Sequence, residues 1–477
     1  MSIKILIIGG GPAGYVCALH AADHGADVTL IEKQNLGGTC LNRGCIPSKI
    51  MKDAADTCVK ISRADQYGIN LEIKTSMDMN VLNHRKHTII AQQQQGIASL
   101  LHAKGIHIIN GTAVVKSLGS VQVVLENGDT QDCAYDRLIL ATGTRPLSAG
   151  DFLFDHKHIL SSDDVLSLEK IPESIVIVGG GVIGCEFACI LSALGSDVTV
   201  IEAMSRLLPL PSIDPECSKL LLREMKKQKI KVYCDTLVRS IEKNEAGVRV
   251  HTQASSISDN ASSQKNKNPV IDAQKIAFCI GRKPDFEDLG LENIGLSLSE
   301  KGWMNVNEKM ETCIKNVYAI GDILGPEKYM LAHVAYREGM IAAQNATGRA
   351  AQMSYRVIPN TVFTIPEIAC VGLTLAQAQK ENLSVQSYSV NFRNLGKAHI
   401  TGEIAGFAKI VIDASSHKVL GVQIMGAHAS ELISGAALAV QNDLSVKDVA
   451  QTLFAHPTMS EILGEVSLKA TGRAIHG

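Results

Sequence analysis

One strand, turn, helix and strand pattern occurs twice in this chain, and it restricts the possible folds more than any other feature. Residues 3–32, "IKILIIGGGPAGYVCALHAADHGADVTLIE", and residues 175–202, "IVIVGGGVIGCEFACILSALGSDVTVIE", match each other element by element. The glycines fall at Gly9, Gly11 and Gly14, then at Gly179, Gly181 and Gly184; each second strand ends in an acid, Glu32 or Glu202, eighteen residues past the third glycine. The spacing has a mechanical meaning. The first glycine makes a tight turn, the second lets backbone approach a pyrophosphate, and the third lets helix and strand pack closely. The helix start then presents unpaired N–H groups to phosphates. A single glycine turn also serves merely to join a strand to a helix. Two copies in full context predict an α/β chain with two Rossmann-like dinucleotide-binding domains.

The chain is long enough for more than those two units, because 477 residues at 45% hydrophobic exceed what one core organises. A formal net charge of -2, with no block of like charges, gives no footing for nucleic acid or for a polybasic membrane anchor. Small molecules and other proteins are the expected partners. The N-terminal "MSIKILIIGGGPAG" has an apolar run too short for a signal peptide and reads as a strand. Residues 175–195 are long enough to span a bilayer but carry Glu186 and five glycines, so they read as strand, turn and helix. Twelve scattered cysteines, several in apolar runs (Cys185, Cys189, Cys279), suit a reducing compartment, and the expected location is cytoplasmic. Residues 135–146, "YDRLILATGTRP", read as a buried strand ending in a sharp turn, with a second boundary near 276–285. Residues 253–269 are polar and read as a solvated hairpin tip, and the glutamines at 92–95 as a solvated helix face. Beyond residue 355 strands alternate with short helices without a glycine fingerprint, which marks a separate C-terminal domain.

Residues 38–49, "GTCLNRGCIPSK", place Cys40 and Cys45 just after the first repeat. A zinc site would want a second ligand pair at matching spacing, and none follows; no metal is expected. A structural disulfide closing so short a loop adds only about 2 kcal/mol. Two packing cysteines remain possible. Yet Cys45 opens a helical pattern with Pro47 in its first turn, and a helix N-terminus lowers a thiol pKa. A pair so placed, directly after a dinucleotide unit, points to redox exchange with a cofactor. Near the C-terminus, "AHPTMSEILGEVSLKATG" offers His456 and Glu461. A neutral imidazole is the natural base for a thiol that ionises little by itself at neutral pH. The plainer readings are a loop histidine before proline, and a capping box of Thr458 with Glu461 at a helix start.

The motifs "GGGPAG", "GGTCLNRGCIPSK", "ATGTRP", "GGGVIGCEFA", "CIGRKPD", "YAIGD", "LAHVAYREG", "TIPEIACVG", "GAHASELI" and "AHPTMSE", in this order, resemble the pyridine nucleotide-disulfide oxidoreductases over essentially the whole chain. The resemblance implies an FAD-binding domain at 1–147, an NAD-binding domain at 148–277, a central domain returning to the FAD site at 278–352 and an α+β dimerisation domain at 353–477. FAD would sit on the first repeat and NAD on the second, with further cofactor contacts at Thr39, Ala113, Thr142, Gly143, Val238 and Gly281. Asp322 would bind the flavin ribityl chain and Ala332 would meet the ring through its backbone. Cys40 would exchange with substrate, Cys45 would lie on the flavin, and Lys49 would sit at its reactive edge, paired with Glu186. A buried acid on a cofactor-facing helix needs such a cation. His456 and Glu461 would form the acid-base pair, completing the partner subunit's site in a homodimer.

By the same resemblance the activity is flavin-dependent oxidation of protein-bound dihydrolipoamide with reduction of NAD+ through a redox-active disulfide. The lipoyl group would be carried by a protein of a 2-oxo acid dehydrogenase, acetoin dehydrogenase or glycine cleavage system. Mercuric reductases carry an extra C-terminal cysteine pair, and here no cysteine follows Cys370. Soluble transhydrogenases lack the pair at Cys40 and Cys45, and glutathione reductase uses NADPH, which wants cations where Glu202 stands. Another disulfide or quinone reductase of the family, or a docking subunit of a multienzyme complex, is the alternative. Two places depart from the family pattern: Arg43 stands where a small apolar residue is usual, and the loop between Asp322 and Ala332 is long.

Overall fold

Four of the five residues of the strand Lys4–Ile8 are buried, because parallel strands covered on both faces tolerate no polar alternation. This strand is the middle of the five parallel strands in a seven-stranded sheet of the computed structural model, which describes residues 2–71, 77–148, 150, 152–257 and 269–477. Parallel neighbours flank it, Asp27–Glu32 on one side and Arg137–Leu140 on the other, and the parallel set ends at Val317–Ala319 and His107–Ser117. The long strand His107–Ser117 continues into an antiparallel meander with Ser120–Leu125 and Thr130–Ala134. These elements belong to one compact unit, built from residues 1–51, 78–147 and 281–355.

The other unit, residues 52–77, 148–280 and 356–477, holds the second repeat in a five-stranded parallel sheet. Its order is Lys231–Tyr233, Asp197–Ile201, Ser174–Val178, Lys275–Phe278 and Ile159–Ser161. Beside it the strands Thr236–Asn244, Gly247–Ala254 and Val270–Ala273 pair antiparallel. The tip expected at 253–269 falls largely on residues outside those described, but the strands flanking it pair as a hairpin does, His251 opposite Val270. The C-terminal part of this unit is a five-stranded antiparallel sheet whose core includes Phe392, Ile410, Ile424, Ile433 and Ile462. The helices Ala429–Gln441 and Glu461–Ala470 supply Ile433 and Ile462 to that core.

The glutamines at 92–95 lie in the helix Met79–Ala103, and Gln92, Gln93 and Gln95 are exposed as expected. Gln94 departs from that reading: its amide donates to Asn42 Oδ1 at 2.5 Å, beside the cysteine motif. Among the described residues, no helix is long and apolar enough to cross a membrane.

Candidate active site

The two repeats build nearly identical cradles. Gly9 and Gly179 both adopt φ +106°, and a side chain at either would strike the backbone just past the end of a neighbouring strand, at 2.3 Å from Ala141 O and 2.5 Å from Cys279 O. At the third position a Cβ would lie 1.8 Å from Gly9 O at Gly14, and 1.9 Å from Gly179 O at Gly184. The helices that follow, Pro12–Asp23 and Val182–Ala193, start at Gly11 and Gly181 with no side-chain cap, whereas Asp78 and Asp214 cap other helices. First-turn N–H groups left uncapped in this way are free to bind phosphate oxygens.

The terminal acids of both repeats turn back onto their own glycine loops. Glu32 accepts the N–H groups of Gly10 and Gln34, each at 2.7 Å. Glu202 accepts those of Gly180 and Met204, the latter at 2.7 Å. Burial raises the Glu202 carboxyl above its ordinary value, against the pull of the N–H bonds from Met204, Gly180 and Ala203. Both acids are buried, and their place at the strand ends is the one from which a ribose hydroxyl is recognised.

The cysteine motif is docked directly on the first cradle. Gly37 donates its N–H to Gly10 O at 2.8 Å, and a Cβ on Gly38 would come within 2.7 Å of Gly11 Cα. Gly37 and Gly38 both have positive φ, +89° and +54°, so glycine is required where the chain presses on the phosphate loop. Cys40 lies in a short helix, Gly38–Arg43, that the sequence pattern did not announce, and Cys45 opens the expected helix Cys45–Ile61. Gly44 joins them, where a Cβ would sit 3.0 Å from Thr39 O. The two cysteine side chains lie in hydrogen-bond reach of each other.

The surroundings of Cys40 oppose its ionisation. Its thiol is driven well above the ordinary range, first by the hydrogen bond to Cys45, then by burial and by the negative charges of Cys45 and Asp322. The pair therefore resists carrying two charges in its reduced form. Tyr336 sits in the same cluster, its ring edge-on to Tyr15 at 6.1 Å, and its hydroxyl is pushed up by burial, by Tyr15 and by both cysteines. Neither tyrosine was singled out from sequence. The signal available was position alone: Tyr15 follows the third glycine directly, and Tyr336 lies in "LAHVAYREG".

Polar groups that ask for a ligand surround this cluster. Thr142 Oγ1 is buried with no hydrogen-bond partner among the described residues, at the turn where Gly143 takes φ +73°. Asp322 is half-buried, and desolvation raises its carboxyl, opposed by Arg282 and by Thr144. Arg282 Nε donates to Thr144 Oγ1 at 2.8 Å, and Thr144 Oγ1 lies 3.4 Å from Asp322 Oδ2. A buried hydroxyl without a partner among the described residues, a half-buried acid with lone pairs to spare and an uncapped helix start suit a dinucleotide bearing a polyhydroxylated chain. FAD fits the residues present.

The remaining predicted residues take the following places. Thr39 is in the helix with Cys40, Lys49 is one turn into the helix Cys45–Ile61, and Ala332 opens the helix Ala332–Ala346. Ala113 is buried in the strand His107–Ser117, Val238 sits where the ladder of Thr236–Asn244 shifts register, and Gly281 has φ +127°. Glu186 is buried and accepts the Phe363 N–H at 2.9 Å. The first unit thus gathers Cys40, Cys45 and Asp322, and the second holds the other dinucleotide cradle and His456.

His456 Nδ1 lies 2.8 Å from Glu461 Oε1. A carboxylate can only accept, so Nδ1 carries the proton and Nε2 keeps its lone pair for use as a base. Burial would raise the Glu461 carboxyl, but bonds from His456 and the Thr458 N–H outweigh it and hold the group below its ordinary value. The expected capping box is only half present. Glu461 does accept the Thr458 N–H at 2.9 Å, but the helix begins at Glu461, and the Thr458 hydroxyl donates to Ala455 O at 2.7 Å instead of capping it.

Residues 3–339 match the family described as pyridine nucleotide-disulphide oxidoreductase, and residues 358–467 match its dimerisation domain. The chain belongs to the pyridine nucleotide-disulphide oxidoreductase family, as a flavoprotein that uses FAD, NAD and a redox-active cysteine pair. It is 37% identical over 471 residues to the dihydrolipoyl dehydrogenase of Chlamydia pneumoniae, covering 99% of this chain and 97% of that one. It is also 37% identical over 475 residues to a dihydrolipoyl dehydrogenase of Bacillus subtilis, covering 99% and 100%. The crystal structure of LpdA from Mycobacterium tuberculosis superposes with a TM-score of 0.89 at 28% identity, covering 98% of this chain and 99% of that one.

Proposed function

We propose that this chain oxidises protein-bound dihydrolipoamide to lipoamide and reduces NAD+, and that Cys40, Cys45, His456 and Glu461 carry the chemistry. The observation that supports this most is the Cys40 and Cys45 pair pressed by Gly38 onto the first dinucleotide cradle. In the oxidised enzyme the two sulfurs form a disulfide. A substrate thiolate attacks Sγ of Cys40 and displaces Cys45; the second substrate thiolate then attacks the mixed disulfide, closing the lipoyl ring and releasing Cys40. His456 Nε2 takes the substrate protons in turn, and Glu461 holds the ring in the tautomer that leaves Nε2 free. FAD, when bound, relays the electron pair from the reduced cysteines to NAD+. The balance is dihydrolipoamide plus NAD+ to lipoamide, NADH and one proton.

The domain limits expected from sequence, 1–147 for FAD, 148–277 for NAD, 278–352 returning to the flavin and 353–477 for dimerisation, are part of this reading. So is a homodimer in which His456 serves the partner's cysteines. A reducing, cytoplasmic setting, which scattered cysteines in apolar runs suit, belongs to this reading too. The lipoyl-bearing partner is a component of a 2-oxo acid dehydrogenase, acetoin dehydrogenase or glycine cleavage system, and pull-down of the lipoylated protein distinguishes them.

Steady turnover of free dihydrolipoamide with NAD+, followed as NADH absorbance, tests the activity; a docking subunit gives none. Subunit mixing tests the shared site. Cys45→Ser and His456→Ala homodimers should each be nearly inactive, while equal co-refolding makes about half the dimers mixed and restores roughly a quarter of wild-type activity. No recovery despite demonstrated mixing would place His456 in its own chain's site.

A further inference from the structure

The long loop between Asp322 and Ala332 leads to a buried carboxyl that the chemistry above does not use. Glu338, in the helix Ala332–Ala346, is 1% exposed and faces back toward the turn that carries Asp322. Its Oε2 accepts the N–H of Gly321 at 2.7 Å, and its Oε1 accepts the hydroxyl of Tyr355 at 2.7 Å. Gly321 has φ +78°, and a Cβ there would meet Ala13 Cβ at 3.0 Å. A Cβ on Gly339 would come within 2.6 Å of Ala13 O. The first cradle's helix, the Asp322 turn and the helix of Glu338 therefore converge at Ala13, without room for adjustment by side chains.

The loop itself closes over the other end of this contact. Tyr329 stacks on Tyr355 with ring centroids 6.4 Å apart at 23°, and Lys328 Nζ stands 4.8 Å from the centre of the same ring. Tyr329 adopts φ +62°, an uncommon conformation for a bulky side chain and one that needs surrounding contacts to persist. Burial pushes the Glu338 carboxyl up to about 8 in spite of the Tyr355 and Gly321 bonds; Asp322 and Lys328 are the charged groups facing it.

We propose that Glu338 is a positioning residue for the flavin, and that Tyr355, clasped by Lys328 and Tyr329, locks it so that the Gly321–Asp322 turn is held ready for the ribityl chain. This rests on the functional reading that FAD occupies the first cradle. The pair touches neither substrate nor cysteines, so its effect falls on how firmly FAD is held.

The test compares Tyr355→Phe, Glu338→Gln and Glu338→Leu holoproteins by the rate of FAD release, read from flavin fluorescence, and by the rise in Tm that FAD confers on each apoprotein. Tyr355→Phe should release FAD about tenfold faster, with the apoprotein Tm little changed; one well-placed hydrogen bond is worth about that factor. Glu338→Leu should lose more, and Glu338→Gln, which keeps an acceptor for Gly321, should recover part of it. Wild-type release rates in Tyr355→Phe and Glu338→Gln would overturn the proposal. So would Tm losses equal in apo and holo forms, which mark a merely structural role. A wild-type protein that binds no FAD would overturn the functional reading as well; normal FAD binding with unaffected variants overturns this inference alone.

Discussion

The two dinucleotide cradles share their local geometry almost atom for atom and differ in what rests on them. In each, the loop after the acidic strand end returns an N–H to the second residue of the glycine run: Gly37 to Gly10 O at 2.8 Å, Leu208 to Gly180 O at 2.7 Å. In the first repeat that loop runs straight into the cysteine helix, and Gly38 closes on Gly11. In the second, nothing among the described residues lies within 4 Å of a Cβ placed on Gly181. The loop there is held instead by Arg206, whose guanidinium donates to Leu208 O, Leu210 O, Ile213 O and Ser218 Oγ. One cradle is joined directly to the cysteine pair and the other is left open at Gly181. The same backbone solution is thus finished differently in the two repeats.

That difference predicts that chemistry fails separately from binding. Cys40→Ser should keep its FAD, because the phosphate cradle at Gly9–Gly14 is untouched, yet lose dihydrolipoamide oxidation by more than about a thousandfold. Flavin absorbance of the purified protein, set against its turnover, checks both halves. Full turnover would remove the redox role of the pair.

The open cradle should choose its nucleotide by charge. A 2′-phosphate within about 4 Å of Glu202 would cost about 4 kcal/mol at an effective dielectric near 20, so NAD should exceed NADP by roughly a thousandfold in kcat/KM. Arg206 is the one cation between residues 203 and 213, and its donors are engaged by the loop itself. Glu202→Gln should therefore narrow the gap without making NADP a good substrate. Comparable efficiencies with the two nucleotides in wild type would refute the charge argument.

Smaller effects should separate the repeats. Gly14→Ala and Gly184→Ala each force a Cβ onto a carbonyl oxygen, an overpacking that costs about 1–3 kcal/mol. The first should lower FAD content and leave the KM for NAD+ near wild type, and the second should do the reverse. A variant that disturbs both ligands equally would break the comparison.

The smallest effect lies outside both cradles. Glu461 is held below its ordinary value of 4.5, so it binds protons less readily folded than unfolded. Its stabilising contribution is present above that value and is lost as pH falls below it. Glu461→Gln should flatten that acid limb of the stability curve by under about 1 kcal/mol, since His456 is largely exposed. A thermal-melt series across that range decides it, and an unchanged acid limb would deny the pair its role.

What the sequence determined by itself is what neighbours in the chain decide. Strand, glycine turn and helix form within about thirty residues, so both cradles, their acids and the helix after Cys45 were legible from spacing and composition. The pairing of His456 with Glu461 came from the family resemblance, whereas spacing alone pointed to Thr458 and Glu461 as a helix cap. Tertiary structure decided the rest, because sheet order, not chain order, brings the partners together. Nothing in the sequence shows that Gly38 closes on Gly11, that Thr144 stands between Arg282 and Asp322, or that Tyr355 reaches Glu338. The thiol of Cys40 makes the same point in energy. Spacing places a helix start at Cys45, but it does not show that the Cys40 thiol is pushed up by Cys45, by burial and by Asp322, a residue 282 positions away that only the fold delivers.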